Sequence, residues 1–142
     1  MLVSAILNTK GHHIVSVAPT DKVSAVVKLL AERKIGVVLV MTKHEIDGII
    51  SERDIVRVIA EHGAGGLDED VGAVMTRKVV TCSPSDTVRW IMERMTSGKF
   101  RHLPVLDDGR VVGLISIGDV VKSRVSEYEN EQEALREYIA TA

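Results

Sequence analysis

The sequence predicts an α+β fold built from one small unit used twice. Three observations carry this. First, an offset of 65 residues (Pro84 minus Pro19) superposes the chain on itself without a gap, placing Asp21 on Asp86, Lys34 on Lys99, Gly48 on Gly113, Ser51 on Ser116 and Asp54 on Asp119. Second, apolar positions fall on apolar positions at that offset, among them Val15 on Val80, Val23 on Val88, Val40 on Val105 and Ile50 on Ile115. Third, each copy runs through the same order of patterns, which reads as strand–helix–strand–strand–helix. One such unit buries too little surface to be stable alone, so the two are expected to pack as a pseudo-twofold pair.

In the first unit Ile14-Val15-Ser16-Val17 is a short strand. Pro19-Thr20-Asp21 then opens a helix, with Thr20 as N-cap and Asp21 favourable in the first turn. Val23, Val26, Val27 and Leu30 give that helix one apolar face, and Gly36 is the expected stop. Val37 to Met41 is almost wholly apolar and β-branched, as in a strand buried on both faces. A turn at Lys43-His44-Glu45 leads to a strand over Ile46 to Ile50, and Ser51 opens a helix to about His62.

The second unit repeats this order. Val79 to Cys82 is a strand, Ser85-Asp86 caps a helix carrying Val88, Ile91, Met92 and Met95, and Leu103 to Leu106 is the next strand. Asp107-Asp108-Gly109-Arg110 is a hairpin signal. Pro104 implies an edge strand or a bulge. Val111 to Ile115 and a helix from Ser116 complete the unit. The expected organisation is residues 1–62 with a lead-in helix, 63–70 as a Gly-rich and acidic linker, and 71–142 with a second lead-in at Val71 to Met75 and a helical tail. In the tail Leu135, Tyr138 and Ile139 are expected anchors, and Glu127, Glu129, Glu131, Glu133 and Glu137 a solvated face.

Composition narrows the function. With 45% hydrophobic and 27% charged residues, the chain has the balance of a soluble globular protein. No apolar run approaches the ~20 residues that span a bilayer. No export signal is visible, so the expected location is cytoplasmic. A net charge of −2 argues against a nucleic-acid partner, and one Phe, one Trp and two Tyr leave few rings for stacking bases. The single cysteine, Cys82, excludes an internal disulfide; it pairs with Val17 at the repeat offset and reads as a core thiol. His12, His13, His44, His62 and His102 show no metal-ligand spacing. Trp90 lies one position off its helix's apolar stripe, half-buried or packed on a partner subunit. No phosphate loop, nucleophile elbow or zinc-protease motif is present, so no enzyme activity is expected.

The chemistry centres on Gly48-Ile49-Ile50-Ser51-Glu52-Arg53-Asp54 and its copy Gly113-Leu114-Ile115-Ser116-Ile117-Gly118-Asp119. Each is a strand-to-helix corner with a serine and, three residues later, an aspartate. One reading is a capping box, Ser on the N3 backbone N–H and Asp reaching back. The other is a nucleotide corner. A helix N-terminus offers N–H groups to an anion, the hydroxyl adds a donor, and the carboxylate accepts from a ribose diol. The glycines permit close backbone approach.

These corners, with Lys99-Phe100-Arg101-His102-Leu103-Pro104-Val105 and the Val-x-x-x-Pro-x-x-x-Val starts at Val15 and Val80, resemble a tandem pair of cystathionine-β-synthase (CBS) domains, a Bateman module. The resemblance covers about Ile14 to Lys122 and is nearest to small stand-alone bacterial CBS pairs. It implies a non-catalytic regulatory module that binds AMP, ADP, ATP, S-adenosylmethionine or NAD(H), forms a homodimer through its helices, and acts on a separate effector protein. By resemblance Asp54 and Asp119 would take ribose hydroxyls, with Ser51 and Ser116 near ribose or phosphate. Ser16-Val17-Ala18 and Thr81-Cys82-Ser83 would offer backbone groups to adenine. Arg101 is the first phosphate candidate, followed by Lys99 and Arg53, with His102 and Pro104 lining the cleft. Gly36 stands where the second unit has Arg101, so the two pockets are not equivalent. The alternative is a ligand-independent protein–protein adaptor in which the corners are only caps.

Overall fold

A computed structural model describes residues 1–141. The two units repeat each other's helix–hairpin–helix order, down to the irregularity of the hairpins. In the first, β1 (Ser16–Val17), α2 (Val23–Arg33), β2 (Val37–Thr42), β3 (Glu45–Ser51) and α3 (Glu52–His62) follow the lead-in helix α1 (Val3–Lys10). In the second, α4 (Val71–Val74), α5 (Val88–Gly98), β4 (His102–Asp107), β5 (Arg110–Ser116) and α6 (Ile117–Thr141) follow in the same order. The hairpins β2–β3 and β4–β5 are antiparallel, and both slip register at the equivalent place, between Val40 and Met41 and between Val105 and Leu106. Pro104 sits just before the second slip, on the strand edge that meets only Cys82. The Asp108-Gly109 turn has both residues at positive φ (51° and 77°), as the tightest hairpin turn requires.

Several expected boundaries move. β1 shrinks to two residues paired in parallel with β2, and the Val79–Cys82 strand reduces to one parallel bridge, Cys82 to Val105. The helix expected from Thr20 begins at Val23. Asp21 does not sit in its first turn; its carboxylate turns back to accept the Ala18 N–H at 2.8 Å, and Asp86 does the same to Ser83 at 2.7 Å. Thr87, rather than Ser85 or Asp86, caps α5 by accepting the Trp90 N–H. Gly36 does not stop α2: Lys34 does, in the left-handed conformation at φ 55°, and Lys99 repeats this at φ 56°. The acidic joining segment Gly63–Asp68 is a 3₁₀ helix with Gly66 buried against Val58.

The lead-in helices cross over. Val3, Ile6 and Leu7 of α1 are buried in the core of the second unit, with Val88, Ile91, Leu103, Val105 and Ile115. Val71, Val74 and Met75 are buried in the core of the first, with Val23, Val26, Val38, Val40 and Ile50. The exchange is fastened by matching backbone bonds. The Val3 and Ser4 N–H groups donate to the Asp86 and Pro84 carbonyls, and the Val71 and Gly72 N–H groups to Asp21 and Pro19. The orphan donors of each helix start are thereby satisfied by the other unit. Gly113 and Gly48 make room for the crossing. A Cβ on Gly113 would lie 2.5 Å from Leu7, and one on Gly48 would lie 2.7 Å from the Thr76 carbonyl and 2.8 Å from Met75. The close approach these glycines permit is thus to the exchanged lead-in segments.

The tail departs from expectation. Leu135, Tyr138 and Ile139, at 52%, 72% and 65% exposed, do not anchor the tail on the other described residues. Trp90 is half-exposed, with the Arg94 guanidinium 5.3 Å from its ring.

Candidate functional site

Both readings of the first corner meet at the same atoms. Ser51 caps α3 and, with Asp54, forms the reciprocal capping box: the Ser51 hydroxyl accepts the Asp54 N–H at 3.3 Å, and Asp54 accepts the Ser51 N–H at 2.9 Å. Asp54 holds more than the cap. Its carboxylate also accepts from the Ser51 hydroxyl (3.1 Å), the Thr76 hydroxyl (3.1 Å) and the Arg57 guanidinium (2.9 Å), and the residue is 5% exposed. Thr76 arrives through the exchange of lead-ins, because the segment after α4 pairs along β3 through reciprocal Ile49–Thr76 backbone bonds. The helix start offers an anion less than expected: the Glu52 N–H is taken by the Gly36 carbonyl, which leaves Arg53 as the first-turn donor without a partner among the described residues.

This corner opens onto a cleft of about 490 Å³ between the units. On the first unit's side it is lined by Ser51, Glu52, Arg53, Asp54 and Arg57, and on the other by Lys99, Phe100, Arg101 and His102. The cleft therefore gathers Ser51, Arg53, Asp54, Lys99, Arg101 and His102 of the expected set. Lys99 reaches it from the left-handed cap of α5 and Arg101 from the residue before β4. Neither these two nor Arg53 forms an ion pair among the described residues, whereas Arg57 is paired with Asp54. Gly36 leaves space that the Glu52 side chain fills, its carboxylate carbon 3.6 Å from where a Cβ would stand. The second unit has Arg101 and Ile117 at the corresponding places, so it projects a cation where the first projects an anion. Burial, with Lys10 and Arg101 nearby, pushes the His102 imidazole below its ordinary pKa against the opposing pull of Asp119 and Glu52.

The second corner is built alike and closed differently. Asp119 accepts from the Ser116 N–H and hydroxyl, both at 2.9 Å, and Ser116 accepts the Asp119 N–H at 3.2 Å. The place that Thr76 and Arg57 fill in the first corner is taken by Lys10. Its ammonium donates to Asp119 at 2.6 Å and to the Leu114 carbonyl at 2.8 Å. α1 spans eight residues to the four of α4, and the added turn delivers this lysine. Ser116 and Asp119 lie outside the lining of that cleft, covered instead by the partly exposed Lys10 ammonium.

The remaining expected residues scatter. Ser16 lies at a separate surface recess beside Lys43 and Arg110, Val17 packs on the first core, and Ala18 is held by Asp21. Cys82 is buried in the second core beside Thr81 and Ser83, its thiol pushed by burial, with Asp86, up to about 12, which makes it inert at neutral pH. Pro104 is buried, and its carbonyl accepts the Cys82 N–H. Glu52, Arg57, Thr76 and Lys10 were not foreseen. Only Arg57 carried a local signal, three residues after Asp54 on one helix face. Among the described residues, no three or more His, Cys, Asp or Glu side chains could hold a metal, and no helix is long and apolar enough to cross a membrane.

Asp119 supplies a pH test. Burial raises its pKa, but hydrogen bonds from Lys10 and Ser116 and the Lys10 charge outweigh this and hold it below the ordinary carboxylate value of 3.8. A depressed folded value gives stability that is fully present above the unfolded value and lost as pH falls through the folded one. Urea unfolding from pH 7 down to pH ~3 should show wild type losing its advantage over Lys10→Met on acidification. A pH-independent gap between the two would contradict a stabilising Lys10–Asp119 pair.

The CBS domain family matches the chain twice, over residues 3–61 and 71–126. The chain belongs to that family and carries a tandem CBS pair. It is similar to the crystal structure of the CBS-domain containing protein ATU1752 from Agrobacterium tumefaciens, at 42% identity over 87% of this chain and 99% of that one, with a TM-score of 0.85. It is also similar to the CBS domain protein PAE2072 from Pyrobaculum aerophilum, a structure complexed with AMP, at 26% identity over 84% of this chain and 89% of that one, with a TM-score of 0.74. Among curated relatives, the mitochondrial CBS domain-containing protein CBSX3 of Arabidopsis thaliana is 36% identical over 84% of this chain, which spans 60% of that protein. The chain spans 24% of CBSCBSPB3 from the same plant, at 30% identity over 94% of this chain.

Proposed function

We propose that the chain is a non-catalytic regulatory module that binds an adenosine nucleotide (AMP, ADP, ATP or NAD(H)) in the cleft between its units and signals to a separate cytoplasmic effector protein, most simply as a homodimer. One observation carries the reading. A single cleft sets the Ser51/Asp54 corner of one unit against Lys99 and Arg101 of the other, cations without an ion pair among the described residues, with Arg53 beside them. Its volume lies within the range of small-molecule sites. Arg101, Lys99 and Arg53 are assigned to phosphate, and the Arg53 N–H adds a first-turn donor that has no partner among the described residues. The AMP complex of the similar Pyrobaculum protein supports the ligand class. A nucleotide touching both walls would hold the units at one angle, and it shifts the module only by binding one arrangement better than another.

Calorimetry and thermal melting with AMP, ADP, ATP, NADH and S-adenosylmethionine test this. At least one phosphate-bearing ligand should bind and raise the melting temperature. Arg101→Ala should weaken it by about 10- to 100-fold, the loss of one charge-assisted contact, without changing the ligand-free melting temperature. Absence of binding by all five at millimolar concentration would reject the proposal. The adaptor reading has one observation in its favour, that Asp54 already accepts from four protein donors. It predicts that flat response, together with a partner bound equally with and without nucleotide.

A further inference from the structure

The match to the family ends at residue 126, but α6 runs on to Thr141 as one continuous helix. We infer that this extension is a coiled-coil strand that pairs, parallel and in register, with the same helix of a second copy of this chain.

α6 carries two distinct faces. Val120 and Ser123 are buried against the second unit, and Glu127 on the same face accepts an ion pair from the Met1 amino group at 3.2 Å. The other face carries Val121, Val125, Tyr128, Gln132, Leu135 and Ile139, spaced alternately by four and three residues as a coiled-coil seam requires. Its five apolar members are each at least half exposed, from 50% at Val125 to 65% at Ile139. A lone helix extension with that stripe in water is marginal; burial against a partner stabilises it.

The flanking charges identify the partner. Arg124 and Glu131 lie along one edge of the seam, Glu129 and Arg136 along the other. In a parallel in-register pair each residue of the first edge meets the residue five positions later on the other helix. That sets Arg124 against Glu129 and Glu131 against Arg136, opposite charges at every crossing. Within the single chain Arg124 pairs with Glu127 at 2.8 Å and with no other described residue. The same register places Gln132 against Gln132, where the two amides can bond to each other; an antiparallel pair would instead set Gln132 against an apolar seam residue such as Tyr128 or Leu135. A polar residue at one seam position fixes register in this way.

Light scattering on the full chain should give a dimer. The pair Leu135→Glu with Ile139→Glu should weaken it by at least about tenfold in Kd. Glu131→Arg should also weaken it, and adding Arg136→Glu should restore it. Ile139→Cys should cross-link to itself under mild oxidation, because only a parallel pair brings the two positions together and the native Cys82 is buried. A monomeric wild type, a dimer indifferent to Leu135→Glu with Ile139→Glu, or failure of both charge restoration and cross-linking would overturn the inference.

Discussion

Asp54→Ala is expected to lower folding stability by about 3 kcal/mol, several times the cost of Asp119→Ala at about 1 kcal/mol. The two aspartates stand at equivalent positions of the repeat and share the capping box, which accounts for about 1 kcal/mol in each. The difference lies in what else they hold. Asp54 is buried and also receives the Thr76 hydroxyl and Arg57 guanidinium, which tie β3 and α3 to the segment after α4. Removing the carboxylate strands those donors in a partly dry site, although Arg57, whose side chain is 47% exposed, recovers much of its hydration. Asp119 has in their place the single exchange with Lys10, which is open to water. Urea unfolding of both variants, with unchanged m-values, checks this. Equal costs would mean that the corners are energetically alike and that the Thr76 and Arg57 contacts contribute nothing.

Leu7→Ala should destabilise the second unit, not the one in which it is numbered, by about 3 kcal/mol. Leu7 is 1% exposed in the second core and lies over Gly113. Amide exchange should show lost protection in β4, β5 and α5 before β2 and β3. The contact with Gly113 permits a sharper measurement. Gly113→Ala alone overpacks the crossing and should cost about 1–3 kcal/mol. In the Leu7→Ala background the added methyl meets empty space, so the double variant should be markedly more stable than the sum of the singles predicts. Additive costs would contradict the packing of α1 over β5.

The pattern of the chain revealed what is local or periodic. The 65-residue offset foresaw the two units, and the structure repeats it at Lys34 and Lys99, at the register slips and at both helix starts after Ser51 and Ser116. Caps were misjudged where a side chain had two local options: Asp21 and Asp86 bond backward to a turn instead of forward to a helix. Gly36 reads as a stop in the sequence because a left-handed lysine such as Lys34 carries no composition signal. The exchange of lead-in helices was invisible, since an apolar stripe states that a helix is buried but not in which core. Thr76 and Lys10 were hidden with it, because each reaches its aspartate only after the exchange. Arg101 and Gly36 were legible as an asymmetry, and the structure adds its physical counterpart in Glu52.

The crossed lead-ins also set an order of assembly on the ribosome. A chain made from its N-terminus has residues 71–75 in hand soon after the first sheet, so the first core can close early. By then α1 is already complete and has nowhere to go. Its apolar face must wait for Leu103, Ile115 and Val120, roughly a hundred residues later. α1 is made before α2 to α6 yet buried only after the first core can close, and during that interval Val3, Ile6 and Leu7 are an exposed sticky segment of the nascent chain.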